Sequence, residues 1–254
     1  MGDFGSVCKY EWKDCDLTVA LKCLKVDPVE KIGKDFVEEL ILHRRFSYHP
    51  NVISFYGVTK DSHGYYIMIL QHAEDRNLRD YLKANFATLQ WTDKLCIAKE
   101  IVYGLLFLHD HDVIHRDLHS KNILIQQKHP KLADFSLSKR IVESSKTPTT
   151  FGMDAYVDPK FLLNSEYKRD KKSDIFSFGV ILWEISSGRP PFTSFENFVK
   201  LKWELLGGAR ETPIEGTPPK YIELYQRCWD DNPDNRPETK EILDILKQIN
   251  PDEN

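Results

Sequence analysis

Apolar and polar positions divide the chain into two stretches of different rhythm. Up to residue 72, short β-like runs alternate with one helical segment. Val19-Ala20-Leu21-Lys22-Cys23-Leu24 is β-branched and apolar, bounded by polar turn residues, and predicts a strand. Phe36, Val37, Leu40 and Ile41 recur at helical spacing and predict a helix from Asp35 to Phe46. Tyr65 to Leu70 predicts a second strand, and the polar stretch Gln71 to Asn77 closes this half. The remainder is mostly helical. Trp91 to His109 sets Leu95, Ala98, Val102 and Leu105 along one face, with Thr92 as the expected N-cap. Ser173 to Ser187 is apolar almost all round, with Ser173 as expected cap and Gly188 as stop, so it belongs in the middle of a lobe. Between these helices, Asp134 to Pro159 is long and rich in Ser, Thr and Lys. A loop of that length in a compact domain usually has a function.

Composition adds mostly exclusions. The chain has 254 residues, enough for one large domain or two packed lobes. Hydrophobic content of 41% and charged content of 29% are ordinary for a soluble globular protein, and a net charge of −4 gives no reason to expect nucleic acid as a partner. The five cysteines form no CxxC pair, which fits a cytoplasmic or nuclear compartment better than a disulfide framework or zinc site. No basic-then-apolar leader is visible. The longest apolar run, Ile175 to Ile185, is too short to cross a bilayer and carries Glu184, so no membrane association is expected. Met1 to Ser6 formally matches an N-myristoylation pattern, but its glycines have a better explanation below. The oligomeric state is not legible.

Phosphoryl transfer needs metal ligands to hold a triphosphate, a lysine to place it, and a carboxylate to receive the acceptor's proton. Four segments supply these types in order. Gly2-Asp3-Phe4-Gly5-Ser6-Val7 is the latter part of a glycine-rich loop, whose backbone N–H groups can approach phosphates. Val19-Ala20-Leu21-Lys22 puts a lysine on a strand, within reach of the α- and β-phosphates. His115-Arg116-Asp117-Leu118-His119-Ser120-Lys121-Asn122 offers a base and, five residues later, an amide ligand for magnesium. Asp134-Phe135-Ser136 offers a second metal ligand. Each piece is weak alone; four in this order are specific.

These segments resemble the eukaryotic protein kinases. Ser173-Asp174-Ile175-Phe176-Ser177-Phe178-Gly179, Cys228-Trp229 and Arg236-Pro237 resemble the tyrosine-kinase-like group in particular, and the running text is similar to kinase families expanded in some soil fungi. The resemblance runs from Met1 to about Leu246. It implies an α+β bilobal fold: a small, mainly antiparallel β lobe with one helix (1–72) lacking its first strand, and a larger, mainly helical lobe (73–250). It implies ATP and Mg2+ as cofactors and a protein as substrate. Lys22 would pair with Glu39, Glu38 being the runner-up. Gly2 and Gly5 would cover the phosphates. Leu70 would be the gatekeeper, Gln71 to Ala73 the adenine-binding hinge, and Val7, Ala20 and Leu124 the adenine sandwich. Asp117 would be the base, with Asn122 and Asp134 on magnesium. Arg116 would pair with phosphate on Ser144, Ser145, Thr147, Thr149 or Thr150.

Five departures from that pattern matter. The chain begins at the loop's second glycine, so the expected reading is an incomplete gene model or fragment with an exposed sheet edge. Ser136 stands where the family has glycine; were φ > 0 required there, it would cost roughly 1–2 kcal/mol. Lys160 replaces a glutamate whose partner corresponds to Arg236, and losing one partner of a buried pair costs about 3–5 kcal/mol unless Lys160 snorkels to solvent. His119 and Met153 match neither the Ser/Thr nor the Tyr pattern. His43 occupies a position of the internal hydrophobic spine; a satisfied helix-edge histidine is the plain expectation, a protonatable spine residue the sharper one. Two functions stay open at this stage: an active kinase, with Ser/Thr preferred over tyrosine or dual specificity, and a pseudokinase scaffold.

Overall fold

The computed structural model describes residues 6–23, 34–140, 154–164, 166–195 and 197–251. Its first element is β1 (Val7–Trp12), which turns through Asp16, a residue in the left-handed region at φ 49°, into β2 (Leu17–Cys23). Helix α1 (Lys34–Phe46) follows, then β3 (Phe55–Lys60) and β4 (Tyr66–Gln71). The four strands form one antiparallel sheet in the order β1-β2-β4-β3, with Val7 opposite Lys22 and Ala20 opposite Leu70. β1 pairs with β2 on one side and its residues are nearly all exposed, so among the described residues it is one edge of the sheet, β3 being the other. The strand and helix expected here are present with bounds shifted by one or two residues; Leu24 lies outside the described residues.

The larger lobe is helical. It runs through α2 (Leu78–Asn85), α3 (Trp91–Asp110), the two-residue β5 (Val113–Ile114), the hairpin β6 (Ile123–Gln126) and β7 (His129–Leu132), and β8 (Lys139–Arg140), which pairs with β5. Helices α4 (Pro159–Leu163), α5 (Lys171–Ser187), α6 (Phe198–Leu206), α7 (Pro219–Cys228) and α8 (Thr239–Gln248) complete it. The architecture is the expected α+β, two-lobed one.

Two helix starts differ from expectation. α3 is capped by Gln90, whose side chain and that of Asp93 reciprocally bind the two backbone N–H groups, so Thr92 lies inside the first turn. α5 is capped by Asp170, whose carboxylate accepts from the N–H groups of Lys172 and Ser173, leaving Ser173 as the third residue of the box. In both cases a longer or charged side chain two or three residues earlier reaches the free N–H groups. Gly188 ends α5 at φ 70°, as its position suggested.

α5 is the central post. Ile175, Phe176, Phe178, Ile181, Leu182 and Trp183 are 0–1% exposed. α5 packs against α7 at Gly179, where an added Cβ would lie 2.8 Å from Cys228 Cβ. Only glycine permits that approach, so the Phe178-Gly179 and Cys228-Trp229 phrases are two sides of one contact. Among the described residues no helix is long and apolar enough to cross a membrane.

Candidate active site

Alternation along β2 turns Lys22 inward, and helical spacing on α1 turns Glu39 toward it. Lys22 Nζ donates to Glu39 Oε1 at 2.9 Å and to Asp134 Oδ1 at 2.9 Å. Both Lys22 and Glu39 are 6% exposed. Burial would lower the lysine's pKa, but the charges of Asp134 and Glu39 outweigh it and hold it raised. Burial would equally raise Asp134; Lys22 and the Ser136 bonds instead bring it down to about 2. Glu39, not Glu38, is thus the carboxylate on Lys22.

The loop between β5 and β6 carries Asp117 and Asn122. Its sharp path passes through Arg116 at φ 67° and is held from below by α5. Asp174 accepts from the backbone N–H of His115 at 2.8 Å and of Arg116 at 2.9 Å, and from His109 Nε2 at 2.9 Å. Those bonds and the neighbouring histidines depress the Asp174 pKa although burial raises it. Asn122 Nδ2 donates to Asp117 Oδ2 and to the Asp117 carbonyl, both at 2.9 Å. His119 Nδ1 accepts from the Asn122 N–H at 3.2 Å, while its Nε2 stands 3.6 Å from Asp117 Oδ1. Burial raises the Asp117 pKa, yet His119 and His115 bring it below the ordinary value. Arg169 Nη1 donates to the Arg116 carbonyl at 2.8 Å.

Ser136 does not need a positive φ. Asp134 takes the left-handed conformation, at φ 63°, and Ser136 is not among the positive-φ residues. Its N–H donates to Asp134 Oδ1 at 3.3 Å, so a serine fits without backbone cost. Next to it, Phe135 is 1% exposed and meets His43 edge-on at 4.9 Å. His43 is neither at a helix edge nor satisfied. It is 0% exposed, neither ring nitrogen has a hydrogen-bond partner, and its Nε2 is 3.8 Å from Glu39 Oε1, beyond hydrogen-bond reach.

Val7, Ala20 and Leu70 lie with Lys22 on neighbouring strands; Leu70 is 9% exposed and Val7 is open to solvent at 63%. Gln71 ends β4, its N–H donating to the Ser54 carbonyl at 2.8 Å, and Ala73 follows in the connection to the large lobe. Leu124 comes from β6, bridged to Asn77 at the start of α2. Gly2, Gly5, Met153 and the hydroxyls of Ser144, Ser145, Thr147, Thr149 and Thr150 lie outside the described residues.

Arg236 is not left without a carboxylate. Its Nη1 and Nη2 donate to Asp158 Oδ2 at 2.6 Å and Oδ1 at 3.2 Å, a bidentate pair with both side chains 0% exposed. Asp158 also accepts from the Lys160 N–H at 3.0 Å, and Lys160 itself is exposed. The residue two positions before Lys160 therefore supplies the charge expected at Lys160.

A second buried cluster was not foreseen. Glu184 Oε1 accepts from Arg79 Nε at 3.1 Å and Ser120 Oγ at 2.9 Å, Tyr156 OH donates to Glu184 Oε2, and Arg79 Nη2 donates to Tyr156 OH at 2.6 Å. It ties α2, the Asp117 loop, the segment before α4, and α5 together. The signal was available: a carboxylate inside an apolar helix has to be paired.

A sheet lobe presenting a lysine–glutamate pair, set over a helical lobe presenting an aspartate–asparagine loop and a second aspartate, defines a nucleotide-dependent phosphotransferase of two lobes. The model of the protein tyrosine and serine/threonine kinases matches residues 1–246, and the chain belongs to that family, whose phosphoryl donor is ATP. It is 30% identical, over 99% of its length, to a protein of Acanthamoeba polyphaga mimivirus named as a serine/threonine-protein kinase/receptor, covering 15% of that protein. It is 30% identical over 98% of its length to a LIM domain-containing serine/threonine-protein kinase of Dictyostelium discoideum (25% of it covered), and 31% identical over 98% to the tyrosine-protein kinase Abl of Drosophila melanogaster (15% covered). The chain thus spans 15–25% of the length of these relatives.

Proposed function

We propose that the chain transfers the γ-phosphoryl group of ATP to Ser/Thr hydroxyls of proteins, as a signalling kinase of the tyrosine-kinase-like group with the fungal-family character of its running text. The observation that carries this is Lys22, bonded at 2.9 Å to both Glu39 and Asp134, together with Asp117 and Asn122, which are joined at 2.9 Å. Lys22, fixed by Glu39, orients the α- and β-phosphates. Gly2, Gly5 and Val7 cover the nucleotide, Ala20 and Leu124 enclose adenine, Leu70 borders it, and Gln71 and Ala73 present backbone groups to it. Asp117, kept anionic by its neighbours, accepts the proton of the acceptor hydroxyl. The two halves of the work fall to residues 1–72 and 73–250.

The oxygen donors present suit Mg2+. Asn122 spends its amide N–H groups on Asp117, which leaves its carbonyl oxygen to serve as a ligand, and Asp134 would supply a carboxylate oxygen. Bound there, Mg2+ would neutralise charge on the phosphates. A cytoplasmic location, with the nucleus as the alternative, is consistent with five free cysteines, three of them exposed.

The scaffold alternative rested on the truncated glycine loop, Ser136 and Lys160. The unstrained Ser136 backbone and the Arg236–Asp158 pair remove the last two of these reasons. The test is purified protein with Mg2+, ATP and a histone. Incorporation of phosphate into Ser or Thr, abolished by Asp117→Asn, is the expected result. Thermal stabilisation by ATP with no transfer would sink the reading, and phosphotyrosine alone would overturn the hydroxyl class.

A further inference from the structure

We propose that His119 is a further catalytic residue, its Nε2–H forming with Asp117 Oδ1 a two-point grip on the acceptor hydroxyl; this rests on the kinase reading above. The starting observation is the tautomer. The Asn122 N–H points at His119 Nδ1 at 3.2 Å, as well as at the His119 carbonyl at 2.9 Å, so Nδ1 carries its lone pair there. The ring proton of the neutral imidazole therefore sits on Nε2. That nitrogen stands 3.6 Å from Asp117 Oδ1, too far for a direct hydrogen bond. The other carboxylate oxygen, Oδ2, is held by Asn122 Nδ2 at 2.9 Å. His119 is 7% exposed, with Tyr156 beside it at 6.0 Å between ring centroids, which limits the freedom of the ring.

One oxygen atom fits across this gap. Hydrogen bonds of about 2.7 Å to a carboxylate and about 2.9 Å from an N–H define two spheres that intersect when their centres are separated as Oδ1 and Nε2 are. A hydroxyl placed there donates its proton to Asp117 Oδ1 and accepts from His119 Nε2. Its remaining lone pair is left to attack. The acceptor oxygen then bonds to the γ-phosphorus, and the bond from that phosphorus to the oxygen bridging the β-phosphate breaks. The bonding electrons leave with ADP, and the hydroxyl proton ends on Asp117.

Two substitutions separate the grip from a loop brace. His119→Asn keeps an acceptor near the Nδ1 position for the Asn122 N–H but does not reach toward Asp117. His119→Gln places an amide N–H near the Nε2 position. With a histone as acceptor, His119→Asn is expected to lower kcat by about 10- to 100-fold with ATP affinity and melting temperature unchanged, and His119→Gln to recover most of that loss. Retained kcat in His119→Asn, or loss confined to His119→Gln, overturns the grip while the kinase reading stands. No transfer by the wild type overturns both. Independently of any variant, 15N spectra of labelled histidine are expected to show His119 as the Nε2–H tautomer; an Nδ1–H tautomer overturns the grip.

Discussion

The two lobes hold their functional groups by different means. Under the sheet, the apolar cluster centres on Met68 and Leu70, with Ala20, Leu40, Phe55 and Tyr66 packed against it. Lys22 is placed there by charges, those of Glu39 and Asp134. Trp183, Phe176, Phe178, Tyr221 and Tyr225 belong to a larger cluster that spans α2 to α8 and reaches Leu42 and Phe46 at the end of α1. In the large lobe the residues just before Asp117, His115 and Arg116, are held by backbone hydrogen bonds to Asp174, a side chain of the most deeply buried helix, and Asn122 is held in turn by Asp117 and His119. An ion pair depends on α1 staying where it is; backbone bonds to a core helix do not. The comparison makes the small lobe the adjustable part of the site and the large lobe its fixed frame.

The largest effect should come from attacking the frame. Arg236→Met strands the carboxylate of Asp158 in a site where both side chains are fully enclosed, and should cost about 3–5 kcal/mol, read as a lower urea midpoint. A change under 1 kcal/mol would mean that Asp158 is rescued by Ser173 and the frame is softer than described. In the small lobe the expected sign reverses. His43 buries two unpartnered nitrogens against Phe135 and Phe55, so His43→Leu should stabilise by about 1–2 kcal/mol, with slower hydrogen exchange in α1 and β3. Destabilisation there would show that the imidazole has a partner in solution.

The smallest effect separates two buried carboxylates of the frame by pH. Asp174 titrates below its ordinary value, so the stability it contributes is present above that value and lost as pH falls through the depressed one. Glu184 titrates above 4.5, because burial outweighs Arg79, Tyr156 and Ser120. From 4.5 up to its raised value the folded state holds a proton that the unfolded state has released, so stability declines there as pH rises. Glu184→Gln should remove that decline in urea melts across pH. A variant with the wild-type slope would show Glu184 to be ionised throughout.

Much of the fold was legible because strong periodicity and burial agree. The all-round apolar run of α5 could only be a central helix, and Lys22, Asp117, Asn122 and Asp134 are marked by their spacing. Three of the differences concern which of several nearby polar groups meets a given partner; the other two concern backbone conformation and packing. Thr92 and Ser173 are good capping residues, yet Gln90 and Asp170 reach the free N–H groups first. Lys160 looked like a lost charge because Asp158, two residues earlier, was counted as chain and not as partner. At Ser136 a positive φ would have been costly, but the left-handed residue of this turn is Asp134, two positions earlier. His43 was expected to be satisfied, and only packing shows that Phe135 and Phe55 enclose it.

Thr239 Oγ1 lies 2.7 Å from His109 Nδ1, and the same imidazole bonds Asp174, which bonds the His115 and Arg116 backbone. Read from the other end, this is a column of contacts running from the first turn of α8 up to the residue before Asp117. The last helix is therefore a foundation: a chain stopped short of Thr239 would keep every group that touches substrate, and would lose the floor on which those groups stand.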